Sequence, residues 1–242
     1  MVEYKVFNLR NKDSILGFRC DRGSSLGNPY KLTRDTEENR AKVINLHNQY
    51  FRAILLGSSI EVDSSLLSSK YKPCDRYNYL SLLGKAFQTN GFSCWCNPQP
   101  CHCDTYLEFA NSPRVCISGS RTIKDKDKIY SILDKYLVNL NTQATKRYII
   151  GGDCSTGVDA VLREYAEANE YMYVPVAAKW NELGRSAGMQ RNQVLVNLCN
   201  YFIAVWDGQS KGTENAIKLA RNNESKGTIK RLAIEVLTNE CK

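Results

Sequence analysis

In the second half of the chain, short apolar runs alternate with longer stretches whose apolar residues recur at helical spacing. Arg114–Ser118, Arg147–Ile150, Tyr171–Val176 and Tyr201–Trp206 read as strands; Lys126–Leu140, Val158–Asn169, Gln190–Leu198 and Glu214–Asn222 read as helices. Strands alternating with helical segments of about 10–15 residues predict βαβ units and a parallel sheet with helices on both faces. Right-handed crossovers then place every strand's carboxyl end on one edge, where α/β folds bind ligands. The first half is less regular. Tyr4–Leu9 alternates like a strand, Glu37–Leu56 reads as one amphipathic helix, Phe92–Cys96 as a short strand and Thr105–Ala110 as a helix, while the serine-rich Ser58–Lys70 reads as an exposed excursion. Asn111-Ser112-Pro113 marks the boundary, because proline disfavours helix in the residue before it. The expected fold class is therefore α/β throughout: a small α/β domain over 1–111 and a parallel-sheet domain over 112–242.

Composition narrows this picture only slightly. At 242 residues with 43% apolar content the chain can bury a true core in either half. The 33 basic residues against 25 acidic ones give a net charge of +8, but they are dispersed and form no basic tail. An anionic small molecule is thus the leading partner and nucleic acid the weaker expectation. The sequence shows no signal-peptide pattern and no apolar run of about 20 residues, so neither export nor membrane insertion is expected. A cytoplasmic location (host cytoplasm if the chain is viral) and mostly reduced cysteines follow. No cofactor is expected.

The chemistry concentrates at the strand ends. Ser118-Gly119-Ser120-Arg121 ends the first strand, and there backbone amides, the Ser120 hydroxyl and Arg121 suit a phosphate, although a helix cap plus a surface arginine would look the same. Gly151-Gly152-Asp153 follows the second strand and leads through Thr156, a candidate helix cap, and Gly157 to Asp159. That carboxylate suits either a ribose diol or the helix dipole. Trp180 precedes Gly188-Met189-Gln190-Arg191-Asn192, where Arg191 and Asn192 suit phosphate and a base or sugar edge. Trp206-Asp207-Gly208 runs on to Lys211-Gly212-Thr213 and supplies another glycine turn at a helix mouth. Either tryptophan is a base-stacking surface or a core ring. The reading requires Arg121 and Arg191 to converge on one rim.

The N-terminal half holds Arg22-Gly23-Ser24 with Gly27-Asn28-Pro29, and a segment with four cysteines and a histidine within ten residues, Cys94 to Cys103. Structural zinc sites usually draw on two separated ligand pairs, and no second pair is evident, so no metal site is expected. A strand, a proline turn and a helix starting near Cys101-His102 offer an anion-accepting mouth or a plain core packing. Arg22, Ser24, Asn28, Cys101 and His102 form the second candidate anion site.

The set Ser-Gly-Ser-Arg, Gly-Gly-Asp…Thr-Gly-Val-Asp, Gly-Met-Gln-Arg-Asn and Trp-Asp-Gly-Gln-Ser-Lys-Gly-Thr closely resembles the YspA-like branch of the SLOG superfamily over about residues 114–225. That is a Rossmann-like group which includes DNA-processing protein A and the "lonely guy" enzymes. The resemblance implies binding or hydrolysis of nucleotides and nucleotide-derived signals, including ADP-ribose-type molecules, in a homo-oligomer. Hydrolytic relatives carry a glutamate three residues past the threonine of the Gly-Thr turn; this chain has Ala216 there, with Glu214 at another helical angle. No catalytic residue is therefore assigned. The N-terminal motifs resemble a family of unknown function common in phages and bacteria, in which glycine usually stands at the position of Cys103. The pairing implies a viral or mobile-element accessory protein, a sponge that sequesters a cyclic or ADP-ribose-type immune signal. The alternatives are a nucleotide N-glycosidase or phosphoribohydrolase, using Asp159, Asp207 or Glu214, and a single-stranded nucleic-acid binder.

Overall fold

A computed structural model describes residues 4–59, 62–138, 140 and 145–237. The chain divides into two compact units, Val2–Asn111 and Ser112–Lys242.

The first unit contains β1 (Lys5–Asn8), β2 (Phe18–Arg19), α1 (Glu37–Leu56), α2 (Arg76–Ala86), β3 (Gly91–Cys94) and α3 (Cys103–Asn111). Its strands form a parallel sheet in the order β1-β3-β2. Helix α1 starts where the Thr36 hydroxyl accepts the Asn39 amide and stops at Gly57, which turns left-handed at φ 71°. The core is aromatic. Phe51, Tyr79, Phe92, Tyr106 and Phe109 are buried; Phe51 meets Tyr106 and Phe109 edge to face, and Tyr106 meets His47 in the same way. The Tyr106 hydroxyl donates to the Leu26 carbonyl at 2.8 Å and lies 2.6 Å from the Tyr79 hydroxyl, so these buried polar atoms satisfy one another. The Ser58–Lys70 stretch is less free than its composition suggests: Ser64–Leu66 forms a helical turn and Leu67 bridges to Tyr30, while positions 60 and 61 lie outside the described residues.

The second unit runs β4 (Arg114–Gly119), α4 (Lys126–Leu137), β5 (Tyr148–Gly151), α5 (Asp159–Ala168), β6 (Met172–Pro175), the single turn α6 (Trp180–Leu183), α7 (Ala187–Leu198), β7 (Tyr201–Trp206), α8 (Lys211–Ser225) and β8 (Arg231–Val236). All five strands are parallel in the order β6-β5-β4-β7-β8. Alternation along the strands sorts their side chains. Val115, Ile117, Ile149, Ile203 and Val205 share a buried cluster with Ile129 and Leu133 of α4 and Leu162 and Tyr165 of α5. The intervening Cys116, Ile150, Phe202 and Ala204 are also buried, on the side where α7 and α8 pack. The second unit is thus α/β with helices on both faces of a parallel sheet, and the first is a smaller α/β unit with a parallel three-stranded sheet.

Several element bounds differ from the sequence reading, three of them near the candidate chemistry or the undescribed positions. Helix α4 ends at Leu137, and positions 139 and 141–144 lie outside the described residues. Helix α7 begins at Ala187, so Gly188 sits inside it. Helix α8 begins at Lys211, so Gly212 and Thr213 belong to its first turn and do not precede it. Helix α2 and strands β2 and β8 carry weak periodicity and were not read from the pattern. No helix among the described residues is long and apolar enough to cross a membrane.

Candidate functional site

The parallel topology puts the loops after β4, β5, β6 and β7 on one edge of the sheet, and two glycines fix how closely they pack. A Cβ on Gly157, at φ 70°, would lie 2.4 Å from the Arg121 Cα, so only glycine lets the loop after β5 touch the loop after β4. A Cβ on Gly152 would lie 1.7 Å from Nη1 of Arg191, which reaches across from α7. Arg191 donates from Nη1 to the Gly152 carbonyl at 2.5 Å and stands 3.9 Å from the Asp159 carboxylate, while its buried Nε has no hydrogen-bond partner among the described residues.

Asp159 is where these parts meet. Burial raises its carboxyl above the usual carboxylate range; Arg191, the amides of Gly152 and Cys154, and Arg121 oppose that rise. Two arginines from different elements therefore act on one carboxylate, and the amides after β5 already face an anion that the chain itself supplies. Arg121 is exposed, as are Asp153 and Thr156, whereas Gly119 is half-buried and Gly151 buried. Thr156 does not cap α5. The helix has Val158 at its N-cap without a side-chain bond, and the Thr156 hydroxyl lies beside Cys154 at 3.5 Å.

Asp207 organises the last loop. Its carboxylate accepts the amides of Gln209 at 3.0 Å and Ser210 at 2.7 Å and the Thr122 hydroxyl at 2.6 Å, and its own amide donates to the Ser120 hydroxyl at 3.1 Å. Partial burial would raise this carboxyl, but those donors, with Ser120, hold it down at about 2. Gly208 makes the turn at φ 79°. Ser210, at the N-cap of α8, makes no side-chain cap bond; Gly212 faces open space and Lys211 is exposed. Thr213 is buried, 3.5 Å from Ser120.

Asn192 is buried and its amide group donates to the Gly212 carbonyl at 2.9 Å and to Asn215 at 3.1 Å. It ties α7 to α8 instead of presenting its donors to a ligand. Trp180 is 52% exposed against Gly188, and Trp206 is half-buried with its indole N–H on the Ser210 carbonyl, so Trp180 offers the freer ring face. Of the acids weighed for hydrolysis, Glu214 pairs with Lys218 at 2.5 Å, and Ala216 is buried.

In the first unit, Arg22, Asn28, Cys101 and His102 line a cavity of about 800 Å³, together with Arg10, Arg19, Arg40 and Lys70. Ser24 is not among the lining residues; its hydroxyl donates to the Asp21 carbonyl. Asn28 is spent on the fold, accepting the Tyr30 amide at 3.0 Å and donating to the Val43 carbonyl at 3.3 Å. Arg19 forks onto Asp21 at 3.0 and 2.6 Å, and Trp95 donates to the same carboxylate at 3.2 Å. The reason for expecting no metal does not survive the fold: donor atoms of Cys94, Cys101, His102 and Cys103 all lie within 4.8 Å of one another. The sequence reading placed Arg22 here but missed Arg10, Arg19 and Arg40, and it missed Thr122 as the anchor of Asp207. None of these four stands in a motif or a charge run.

The fold and rim define a Rossmann-like α/β unit with a polar strand edge. Residues 113–182 match the YspA, cpYpsA-related SLOG family, and residues 8–112 match a domain of unknown function, DUF4326. No curated protein matches the chain. Among solved structures, DNA processing protein A from Streptococcus pneumoniae is similar at 18% identity with a TM-score of 0.41, over 55% of this chain and 54% of that one. The chain thus spans about half the length of that relative.

Proposed function

We propose that the Ser112–Lys242 unit captures a nucleotide-derived, phosphate- and ribose-bearing small molecule at the carboxyl edge of its sheet and releases it unchanged. The observation that carries this reading is the contact of Arg191 with the Gly152 carbonyl and Asp159, next to the Arg121 loop packed on Gly157. Beside it lies the start of α8, whose first-turn amides lack a side-chain cap. Uncapped amides and the helix dipole favour a phosphate there, with Lys211 and Arg121 supplying charge. The Nε of Arg191, without a hydrogen-bond partner among the described residues, is a buried donor that a ligand oxygen would satisfy. Trp180 offers an exposed ring for a base. Capture of this kind suits a sponge for an immune signal of the ADP-ribose type, the role implied by the resemblance of the two halves to a viral or mobile-element accessory protein.

Three features support retention over cleavage. Alanine occupies the position of the hydrolytic glutamate, Glu214 is held by Lys218 on the surface, and Asp207 is engaged by four donors as a carboxylate. One observation favours the rival reading. Asp159 is half-buried, and desolvation raises its carboxyl above the usual carboxylate range, as a general acid requires. The two are separated by incubating the full chain with ADP-ribose and cyclic ADP-ribose, denaturing it and chromatographing the supernatant. Capture predicts intact ligand in amounts no greater than the protein. Cleaved product exceeding the protein, and lost in Asp159→Asn, overturns capture in favour of an N-glycosidase or phosphoribohydrolase.

A further inference from the structure

Strand β3 ends at Cys94 and helix α3 begins at Cys103, and the turn between them folds back so that sulfur and imidazole donors from both ends meet. Cys94, Cys101, His102 and Cys103 are each less than 5% exposed, and one donor atom of each lies within 4.8 Å of all the others. A tetrahedral zinc ion with Zn–S of about 2.3 Å and Zn–N of about 2.0–2.1 Å separates its ligand atoms by roughly 3.5–3.8 Å. The Cys101 sulfur stands 3.3 Å from Nδ1 of His102, close to that spacing before any ion draws the donors into place.

The imidazole is oriented by a backbone carbonyl, and the same Nε2 edge also lies 3.7 Å from the Cys103 sulfur. Nε2 of His102 lies 2.8 Å from the Cys20 carbonyl, which can only accept, so Nε2 carries the proton and Nδ1 presents a lone pair toward Cys101. A backbone carbonyl holding the far N–H is the usual outer-shell support of a metal-binding histidine. The Cys103 amide also points at the Cys101 sulfur at 3.5 Å, a contact that favours a thiolate there. Buried Cys199, by contrast, gives its thiol to the Val196 carbonyl and packs as a small hydrophobe. Three thiolates and a neutral imidazole around a dication leave one net negative charge, and Arg19, Arg22 and Arg40 line the cavity that Cys94, Cys101 and His102 share. Cys96 lies 3.7 Å from the Cys94 sulfur and also interacts with Cys101, but it is only partly buried.

We propose that Cys94, Cys101, His102 and Cys103 bind one zinc ion in a closed site that staples the end of β3 to the start of α3. A soft sulfur-rich set selects zinc over calcium or magnesium, and four protein ligands leave no open position for substrate, so the site is structural. Binding displaces the thiol protons to solvent. The inference is independent of the ligand proposed for the other unit.

The test is elemental analysis of the full chain purified without chelators, together with the absorption spectrum after cobalt(II) exchange. About one zinc per chain is expected, with thiolate-to-cobalt charge-transfer bands and the strong visible bands of a tetrahedral ion. Cys94→Ser, Cys101→Ser and Cys103→Ser should each lower zinc content at least tenfold, while Cys96→Ser and Cys199→Ser retain it. Should the serine variants fail to fold, the spectrum of the unaltered chain decides the matter. Less than about a tenth of a zinc per chain after reconstitution, with no cobalt spectrum, overturns the site. Loss of zinc in Cys96→Ser with retention in Cys103→Ser overturns this ligand set.

Discussion

The two units solve the same problem of placing polar groups near parallel strands, and they solve it in opposite ways. In Ser112–Lys242 the polar groups belong to loops in contact with one another, and carboxylates of the chain itself hold them: Asp159 gathers the amides after β5 and Asp207 those after β7. In Val2–Asn111 the polar groups come from dispersed segments, and arginines line an open cavity whose wall carries a knot of buried sulfur donors. The difference teaches that a rim built from adjacent loops carries its own counter-charges and is sensitive to backbone approach. A cavity built from dispersed side chains is sensitive to the removal of single long ones.

The sharpest way to break this contrast is at Gly157. Alanine there must adopt a left-handed backbone and push its Cβ into Arg121, which should destabilise the second unit by about 3 kcal/mol and abolish binding of ADP-ribose. Chemical denaturation and equilibrium dialysis check both halves of that expectation, and an unaltered midpoint would contradict the packing of the two loops.

Arg191→Gln comes next. It removes a charged donor from the Gly152 carbonyl and a cation from beside half-buried Asp159, so affinity for ADP-ribose should fall roughly 10- to 100-fold. The Asp159 carboxyl should rise further, visible as a shifted side-chain carboxyl titration by NMR.

A smaller effect is expected at Asp207, whose folded pKa of about 2 lies below that of an unfolded aspartate. Its stabilisation is therefore complete above about pH 4 and vanishes as pH falls through 2. Because the side chain is partly solvated, Asp207→Asn should cost only about 1 kcal/mol at pH 7. Unfolding curves of variant and parent should converge toward pH 2, and a gap that stays constant with pH would rule out the carboxylate as the source.

The smallest effect tests the other side of the contrast. Trp95→Phe removes one hydrogen bond to Asp21 and should cost about 0.5–1 kcal/mol, leaving ADP-ribose affinity unchanged. A loss of affinity in that variant would tie the cavity to nucleotide binding.

Much of the second unit was legible because its motifs are short and local. Ser118-Gly119-Ser120-Arg121 and Gly151-Gly152 sit at strand ends, and strand ends in a parallel sheet share an edge whatever the strand order. What local sequence could not convey was how side chains are spent. Asn192 reads like a ligand contact, but it closes onto Gly212 and Asn215 because α7 packs on α8, a partner some twenty residues away. Thr156 reads like a cap, but the chain turns at Gly157 before α5 begins, so its hydroxyl faces Cys154 instead. In the first unit the spacing of Cys94 to Cys103 argued against a metal because it lacks two separated pairs. The turn between β3 and α3 was legible from its prolines, but the sequence did not show that it brings Cys94 within 4.8 Å of the donors at the start of α3. Arg10, Arg19 and Arg40 of the cavity were hidden in the same way, since they belong to no common motif.

The central claim is tested most directly by isothermal titration of ADP-ribose into the full chain, beside the same titration of the Arg121→Ala, Lys211→Ala double variant. Both side chains are exposed, so the variant should fold normally. The account predicts saturable binding by the parent chain and at least a tenfold weaker affinity in the variant. An absence of binding by the parent chain, or equal affinity in the two proteins, would contradict it.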